Sequence, residues 1–328
     1  MSDKTTLVKI TDLKKVFPIK QGLLDVIMKK PQRCVNAVDG VSLEINKGEC
    51  MGLVGESGCG KSTLAKTLIR LYDPDGGQIM LDGKDITHIS RAEMRENARN
   101  IQMIFQDPYS SLNPRMSVRA ILQEALLYHK MCPPEKVEER IMELLALVGL
   151  QEQHADRYPG EFSGGQRQRI GIARALALEP KLIIADEPVS ALDVSIQAQV
   201  INLLIDLRAK LGLTLLFISH DLRVVRYITD SVSVMYLGRI VERASTDEVF
   251  ENPLHPYTRI LLKASPSITS RDDDGELIHG DLPSPINLPS GCRFHPRCPM
   301  ATEACRTSNP ELREVAPGHW VACHCVEK

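Results

Sequence analysis

The sequence predicts an α/β fold: a parallel sheet flanked by helices, with an antiparallel β subdomain, an inserted α-helical subdomain and a small Cys-rich C-terminal extension. Three observations predict it. Apolar strands alternate with amphipathic helices through the middle of the chain. A glycine-rich stretch, GESGCGKS at residues 55–62, joins a short apolar strand to a helix. Five of the nine cysteines crowd into the last 37 residues.

Composition narrows the classes. The chain has 328 residues, room for a large α/β domain and an appendage. Hydrophobic residues make up 43% and charged residues 25%, which excludes wholesale disorder. Lys and Arg number 40 against 42 Asp and Glu, a net charge of −2. That balance lacks the basic surplus of a dedicated nucleic-acid binder, and aromatics at 4% supply no base-stacking platform. No run approaches the roughly 18 uninterrupted apolar residues of a membrane-spanning helix. MSDKTTLVKI lacks a basic start followed by a long apolar stretch, so no signal peptide is expected. The expected protein is soluble and cytosolic, able to dock onto a membrane protein.

The elements follow in order. LVKITDLKKVF and VNAVDGVSLEI are β-branched and alternating, with turn signals at Asp39-Gly40 and Lys47-Gly48. Residues 18–34 between them are basic and irregular, a loop insertion. MGLVG is a short buried strand, STLAKTLIRLY a helix and GGQIMLDGKDI a hairpin strand. Helical spacing dominates from about residue 117 to 177, in SVRAILQEALLYH, PPEKVEERIMELLALVGL and QRQRIGIARALAL. KLIIAD and TLLFIS are buried strands on either side of the helix SIQAQVINLLIDLRAKLG. SVSVMYLGRIVER is a hairpin turning at Gly238-Arg239, and HPYTRILLKA a last helix. The domain division is 1–264, with a helical subdomain at about 107–178, and 265–328. The second part holds a linker at 265–291 and a small separate Cys-rich unit.

The chemistry concentrates in a few places. In GESGCGKS, the glycines Gly55, Gly58 and Gly60 let the backbone amides of Ser57, Cys59 and their neighbours turn toward one phosphate. Lys61 places a positive charge on the terminal phosphates. Ser62 offers Mg²⁺ a hydroxyl, and the helix opening at Ser62-Thr63 points its positive end at the anion. Asp186 and Glu187 end an apolar strand, where ligands bind in parallel α/β sheets. Asp186 suits Mg²⁺ and Glu187 suits polarising an attacking water. His220, after the next strand, is placed to contact the γ-phosphate. A second anion site is readable in FSGGQRQR, where Ser163 caps a helix whose first residues are Gly164, Gly165 and Gln166. Two phosphate sites on one chain suggest head-to-tail dimers, each nucleotide lying between Lys61 of one subunit and Ser163 of the other. Cys292, Cys298, Cys305, Cys323 and Cys325 in a reducing cytosol suggest a metal site before disulfides, and the first four lack the C-x2-C knuckle of common zinc ribbons.

These motifs together resemble the ATP-binding cassette (ABC) ATPases, whose core is a RecA-like P-loop NTPase. GESGCGKST looks like their Walker A, LIIADEP their Walker B, FSGGQRQR their signature motif, and SALD, ending at Asp193, their D-loop. His220 looks like the switch histidine and Gln106 like the Q-loop glutamine that senses Mg²⁺ and the transmembrane partner. The resemblance implies Mg²⁺ held by Ser62, Gln106 and Asp186, and an adenine-stacking aromatic, assigned to Phe17. YSSLNPR, NPLHPYT and LPSPINLPSGCRFHPRC resemble the ATPase subunits of oligopeptide and dipeptide permeases. The same arrangement occurs in nickel and glutathione importers. That resemblance implies a second, related ATPase subunit, two membrane permease subunits and an extracytoplasmic binding protein. It places the chain at the cytoplasmic face of the inner membrane. It further implies a [4Fe–4S] cluster on Cys292, Cys298, Cys305 and Cys323, with Cys325 spare. Zinc is the alternative, with His295 or His324 as competing ligands. Among soluble, non-transport relatives, repair types need a long coiled coil and translation types carry two cassettes; neither feature is present. A non-catalytic regulatory subunit is disfavoured by Glu187 and His220.

Overall fold

The computed structural model describes residues 5–19, 21–22, 28, 31–264 and 283–326. In chain order its main elements begin with β1 (Thr6–Pro18), β2 (Cys34–Asn46), β3 (Cys50–Val54) and α1 (Lys61–Leu68). Then come β4 (Gly76–Leu81), β5 (Lys84–Asp85), α2 (Arg91–Ala98), β6 (Ile101–Ile104) and α3 (Pro108–Ser111). Three longer helices follow: α4 (Val118–Tyr128), α5 (Val137–Leu147) and α6 (Gly164–Leu176). After them lie β7 (Leu182–Asp186), α7 (Val194–Leu211), β8 (Thr214–Ile218) and α8 (Leu222–Ile228). The chain continues with β9 (Ser231–Tyr236), β10 (Arg239–Ser245), α9 (Thr246–Glu251) and α10 (Pro256–Lys263). It ends in α11 (Glu303–Thr307), β11 (Arg313–Ala316) and β12 (His319–Val321). Two compact units emerge: Met1–Thr5 with Ile45–Cys50 and Ile89–Ser219, and Thr6–Glu44 with Met51–His88 and His220–Lys328.

In the first unit β6, β7 and β8 pair in parallel, Ile101 opposite Leu182 and Leu182 opposite Thr214. All five residues of β7 and of β8 are buried, as strands covered on both faces require. Helix α4 is capped by Ser117, whose hydroxyl accepts from the Ala120 amide. It buries Val118, Ile121, Leu122 and Leu126, a single stripe at helical spacing. Helix α5 does the same with Val137, Ile141, Leu144 and Leu145. Helix α2 escaped the periodicity because it has little apolar surface. Its signal was the reciprocal cap between Ser90 and Glu93.

The second unit holds a four-stranded sheet in the order β2-β1-β4-β5, with Val8 opposite Leu81 and Ile10 opposite Ile79. The expected turn at Asp39-Gly40 is absent. Strand β2 runs through it, and Gly40 takes φ +75° as a kink inside the strand. A second set of strands in this unit runs β11-β12-β10-β9-β3, with β3 and β9 parallel and the rest antiparallel. The β9–β10 hairpin turns at Leu237-Gly238, one residue earlier than expected. Both have positive φ, as a two-residue type I′ turn demands, and Arg239 already pairs with Tyr236. The cysteine-rich tail extends this set of strands: Glu242 of β10 stands opposite Val321 of β12. A tail too small for its own core gains one by adding to an existing edge. Most of the expected linker and part of the 18–34 insertion lie outside the described residues. Among the described residues no helix is long and apolar enough to cross a membrane.

Candidate nucleotide site

The glycine-rich loop belongs to the second unit. Buried β3 feeds it, and α1 begins at Lys61 directly after it. Gly60 is the N-cap at φ +112°, and a Cβ there would stand 2.1 Å from the Ala37 carbonyl oxygen. Gly55, at φ +150°, would collide with the Met235 carbonyl at 2.2 Å. Only glycine fits either position, so the loop lies close against neighbouring backbone. Lys61 is 5% exposed, and its Nζ donates to the carbonyls of Gly55 (2.7 Å) and Glu56 (3.0 Å). Cys59 is buried, which pushes its thiol pKa up despite the nearby Lys61 ammonium. Its carbonyl accepts from Gly238 N at 2.8 Å, tying the loop to the β9–β10 turn.

What lies beneath the loop was not foreseen. Tyr257, from the HPYT segment, is fully buried, and its hydroxyl accepts from the Glu56 amide at 2.9 Å. Its ring stacks within 4.7 Å of Tyr236 and 5.5 Å of Phe294, centroid to centroid. His255 caps α10, Nδ1 accepting from Tyr257 N at 3.1 Å. Burial holds its pKa down at about 3, so it is neutral and an acceptor. The Glu242 carboxylate, fully buried, receives the amides of Leu254 (2.7 Å) and His255 (3.0 Å) and, at 2.7 Å, His319 Nε2 from the tail. The HPYT segment therefore joins the loop to the tail.

Two further expected residues lie in this unit. Phe17 packs edge-on against Tyr72, with centroids 5.1 Å apart, and Lys15 Nζ lies 5.3 Å from its ring. Exposed His220 precedes Asp221, which caps α8. The hydrogen bonds and charge of Arg223 outweigh desolvation and hold the Asp221 carboxyl below its usual range.

The first unit holds Gln106, Ser163, Gly164, Gly165, Gln166, Asp186, Glu187 and Asp193. Asp186 closes β7 and is 5% exposed. Glu187 follows at φ +48°, a conformation non-glycine residues rarely adopt, fixed by its amide donating to Ile218 O at 2.9 Å. Its carboxylate meets Gln106, whose Nε2 donates to Glu187 Oε2 at 2.9 Å and to Ser190 Oγ at 3.3 Å. Ser190 Oγ donates in turn to the Glu187 carbonyl at 3.1 Å. Residues 81 apart in sequence, Gln106 and Glu187, thus form one polar cluster with the first residue of SALD. Asp193, at its end, begins α7 and accepts from Ile196 N (2.9 Å) and Gln197 N (2.8 Å) through its carbonyl.

Ser163 and Gln166 form a reciprocal cap at α6, Oγ accepting from Gln166 N at 3.3 Å and Oε1 from Ser163 N at 3.1 Å. Gly164 and Gly165 have a packing reason as well. A Cβ on Gly165 would stand 2.3 Å from Ile196 Cγ2, and one on Gly164 3.0 Å from Leu192. Beside the Gln106 cluster, Tyr109 is 55% exposed with the Arg167 guanidinium over its ring at 5.6 Å.

All nine cysteines are free thiols. The expected four-thiolate cage is not formed as such: among the described residues no set of three or more His, Cys, Asp or Glu side chains is arranged to hold a metal ion. Individual thiols have turned to other partners, Cys325 donating to Met300 O and Cys305 bonding Thr302 Oγ1, both at 3.3 Å. They still lie within electrostatic reach. Burial, and next in size among the raising effects the charges of Cys323, Cys292 and Cys305, lift Cys298 to about 11.

Comparison with known proteins bears on the same residues. The ABC transporter family matches residues 38–190, and the oligopeptide/dipeptide transporter C-terminal region matches residues 241–305. The chain is 54% identical over 327 residues to the oligopeptide transport ATP-binding protein AppF of Bacillus subtilis, covering 98% of each. It is 52% identical over 324 residues, again 98% of each, to a Brucella ovis protein described as a peptide import ATP-binding protein. Among solved structures it resembles the post-hydrolysis dimer of the ATP-binding cassette MJ0796 bound to ADP and Pi. The TM-score is 0.63 at 28% identity, over 73% of this chain and 99% of that one. CbiO1 from Clostridium perfringens, part of the transporter complex CbiONQ, matches with TM-score 0.63 and 28% identity over 76% and 92%. This chain therefore belongs to the ABC transporter ATPases and, within them, to the oligopeptide and dipeptide transporter group.

Proposed function

We propose that this chain hydrolyses ATP to drive uptake of di- and oligopeptides through a membrane permease. The observation that carries the chemistry is the polar cluster of Gln106, Glu187 and Ser190 at the end of a buried parallel strand. Glu187 is the group that orients and polarises the attacking water. Lys61 and the loop amides, with Ser57, Gly58 and Thr63 among them, take the phosphates. His220 contacts the γ-phosphate, and Phe17 stacks on adenine. Across a dimer, Ser163, Gly164, Gly165 and Gln166 of one subunit face the nucleotide held by Lys61 of the other, with Asp193 at the seam. Catalysis is then positioning and charge neutralisation.

Mg²⁺ fits the donors assigned to it, because Ser62, Asp186 and Gln106 all offer the oxygen ligands that this hard cation takes. When bound, it neutralises phosphate charge. In the tail, Cys292, Cys298, Cys305 and Cys323 are the thiols that would hold a [4Fe–4S] cluster, or zinc in its place. Cys298 lies within electrostatic reach of Cys323, Cys292 and Cys305, which supports this assignment. The group's contribution there is structural.

The partners of this reading are a second ATPase subunit, related but different, two transmembrane permease subunits and, indirectly, an extracytoplasmic binding protein. The chain sits at the cytoplasmic face of the inner membrane. The surface at residues 107–115, with exposed Tyr109, passes the motion to the permease. The test is anaerobic co-purification from the native membrane, with mass spectrometry of the partners and of the ligand in the binding protein. Two multi-span subunits and a bound peptide are expected. A bound nickel chelate or glutathione would change the cargo, and a fully soluble assembly would refute the transport reading.

A further inference from the structure

The second residue of the glycine-rich loop is acidic, an unfavourable choice beside a polyanion, and the structure shows what compensates it. The Arg297 guanidinium, from the C-terminal extension, grips the Glu56 carboxylate with both ends. Nη1 donates to Oε2 at 2.9 Å and Nη2 to Oε1 at 3.0 Å. The Arg297 side chain is 6% exposed and that of Glu56 20%. Tyr236 supports the pair, its hydroxyl 3.4 Å from Nη1 and its ring 5.9 Å from the guanidinium. Phe294 packs edge-on against Tyr236 at 5.3 Å. Glu56 is held at its other polar ends too, its amide by the Tyr257 hydroxyl and its carbonyl by Lys61 Nζ. Any displacement of Glu56 therefore reaches the lysine directly.

We infer that Arg297 is a positioning residue for nucleotide binding: it cancels the charge of Glu56 and fixes the loop residue to which Lys61 is bonded. The extension thereby sets the affinity of the loop for ATP. A bidentate pair in a half-dry setting is where charge cancellation and geometry both count. This inference rests on reading residues 55–62 as the phosphate loop.

The test is a double-mutant cycle on the full-length chain, reading the Kd for a fluorescent ATP analogue, KM and kcat. Arg297→Gln is expected to weaken ATP binding and raise KM about tenfold, the scale of stranding a largely buried carboxylate, with kcat changed less than about twofold. Adding Glu56→Gln to Arg297→Gln is expected to recover most of that loss, because the stranded charge is gone. A purely structural arginine would lower thermal stability without a selective rise in Kd and KM. Arg297→Lys, which keeps charge but loses the fork, is expected to fall between and serves if Arg297→Gln does not fold. Unchanged affinity in Arg297→Gln, or a loss that persists in full in the double variant, overturns the inference. Lys61→Ala separates the levels. If it abolishes binding while Arg297→Gln does nothing, the inference alone fails. If it leaves binding intact, the loop reading falls and the inference with it.

Discussion

Replacing Tyr257 with Phe removes one oxygen and leaves the packing in place. The ring keeps its neighbours Tyr236 and Phe294, at 4.7 and 5.5 Å, so no cavity opens. What disappears is the acceptor for the Glu56 amide, 2.9 Å away inside the glycine-rich loop. A buried amide left without a partner costs about 1–3 kcal/mol, and Glu56 is half-buried, which points to the lower end. Taken as about 1 kcal/mol of loop order lost from the binding-competent state, this is about a fivefold rise in Kd for ATP. The assay is titration with a fluorescent ATP analogue, alongside thermal unfolding of the same preparations. Wild-type affinity in a folded Tyr257→Phe protein would refute the claim that the HPYT segment shapes the loop. So would a loss of thermal stability with no change in Kd.

Three other outcomes are expected. Glu187→Gln should retain ATP binding, lower turnover by about 10²–10⁴ and trap a nucleotide-bound dimer; turnover near wild type would remove Glu187 from its role. His255, held at about 3 by burial against an ordinary 6.5, stays neutral in the folded chain while the unfolded chain gains a proton. Its contribution to stability is therefore full above pH 6.5 and falls as pH drops toward 3, by about 1.4 kcal/mol at pH 5.5. His255→Asn, which keeps an acceptor for the cap, should shrink the difference in urea stability between pH 7.5 and 5.5 by about that amount. A difference of undiminished size would assign it to other groups. Cys298→Ser should lower the iron or zinc content of anaerobically purified protein and abolish any visible absorption band; unchanged metal content would strike Cys298 from the ligand set.

Much of the fold was legible because it rests on local signals. The strand ending in Asp186, the cap at Ser163 and the glycine after α7 are encoded within a few residues of where they act. Signals that depend on backbone sign were less secure. Asp39-Gly40 has the composition of a turn, yet the strand passes through it, because one positive φ in a paired strand kinks the chain without reversing it. The turn at Leu237-Gly238 was misplaced by one residue because Leu rarely adopts φ +41°, and pairing of Arg239 with Tyr236 forces it there.

The sequence by itself supplied the candidates: which residues have the chemistry for a phosphate, a magnesium ion or a water, since motif spacing on a strand–loop–helix is a local property. Tertiary structure decided what holds those residues in place. Gln106 reaches Glu187 only because β6 and β7 pair in parallel. Tyr257, Glu242 and Arg297 lie far along the chain from their partners, and no periodicity in sequence reports a contact made across a sheet or between a tail and a loop. Such contacts form because burying the tail's few apolar groups requires an existing edge, and β10 supplies it.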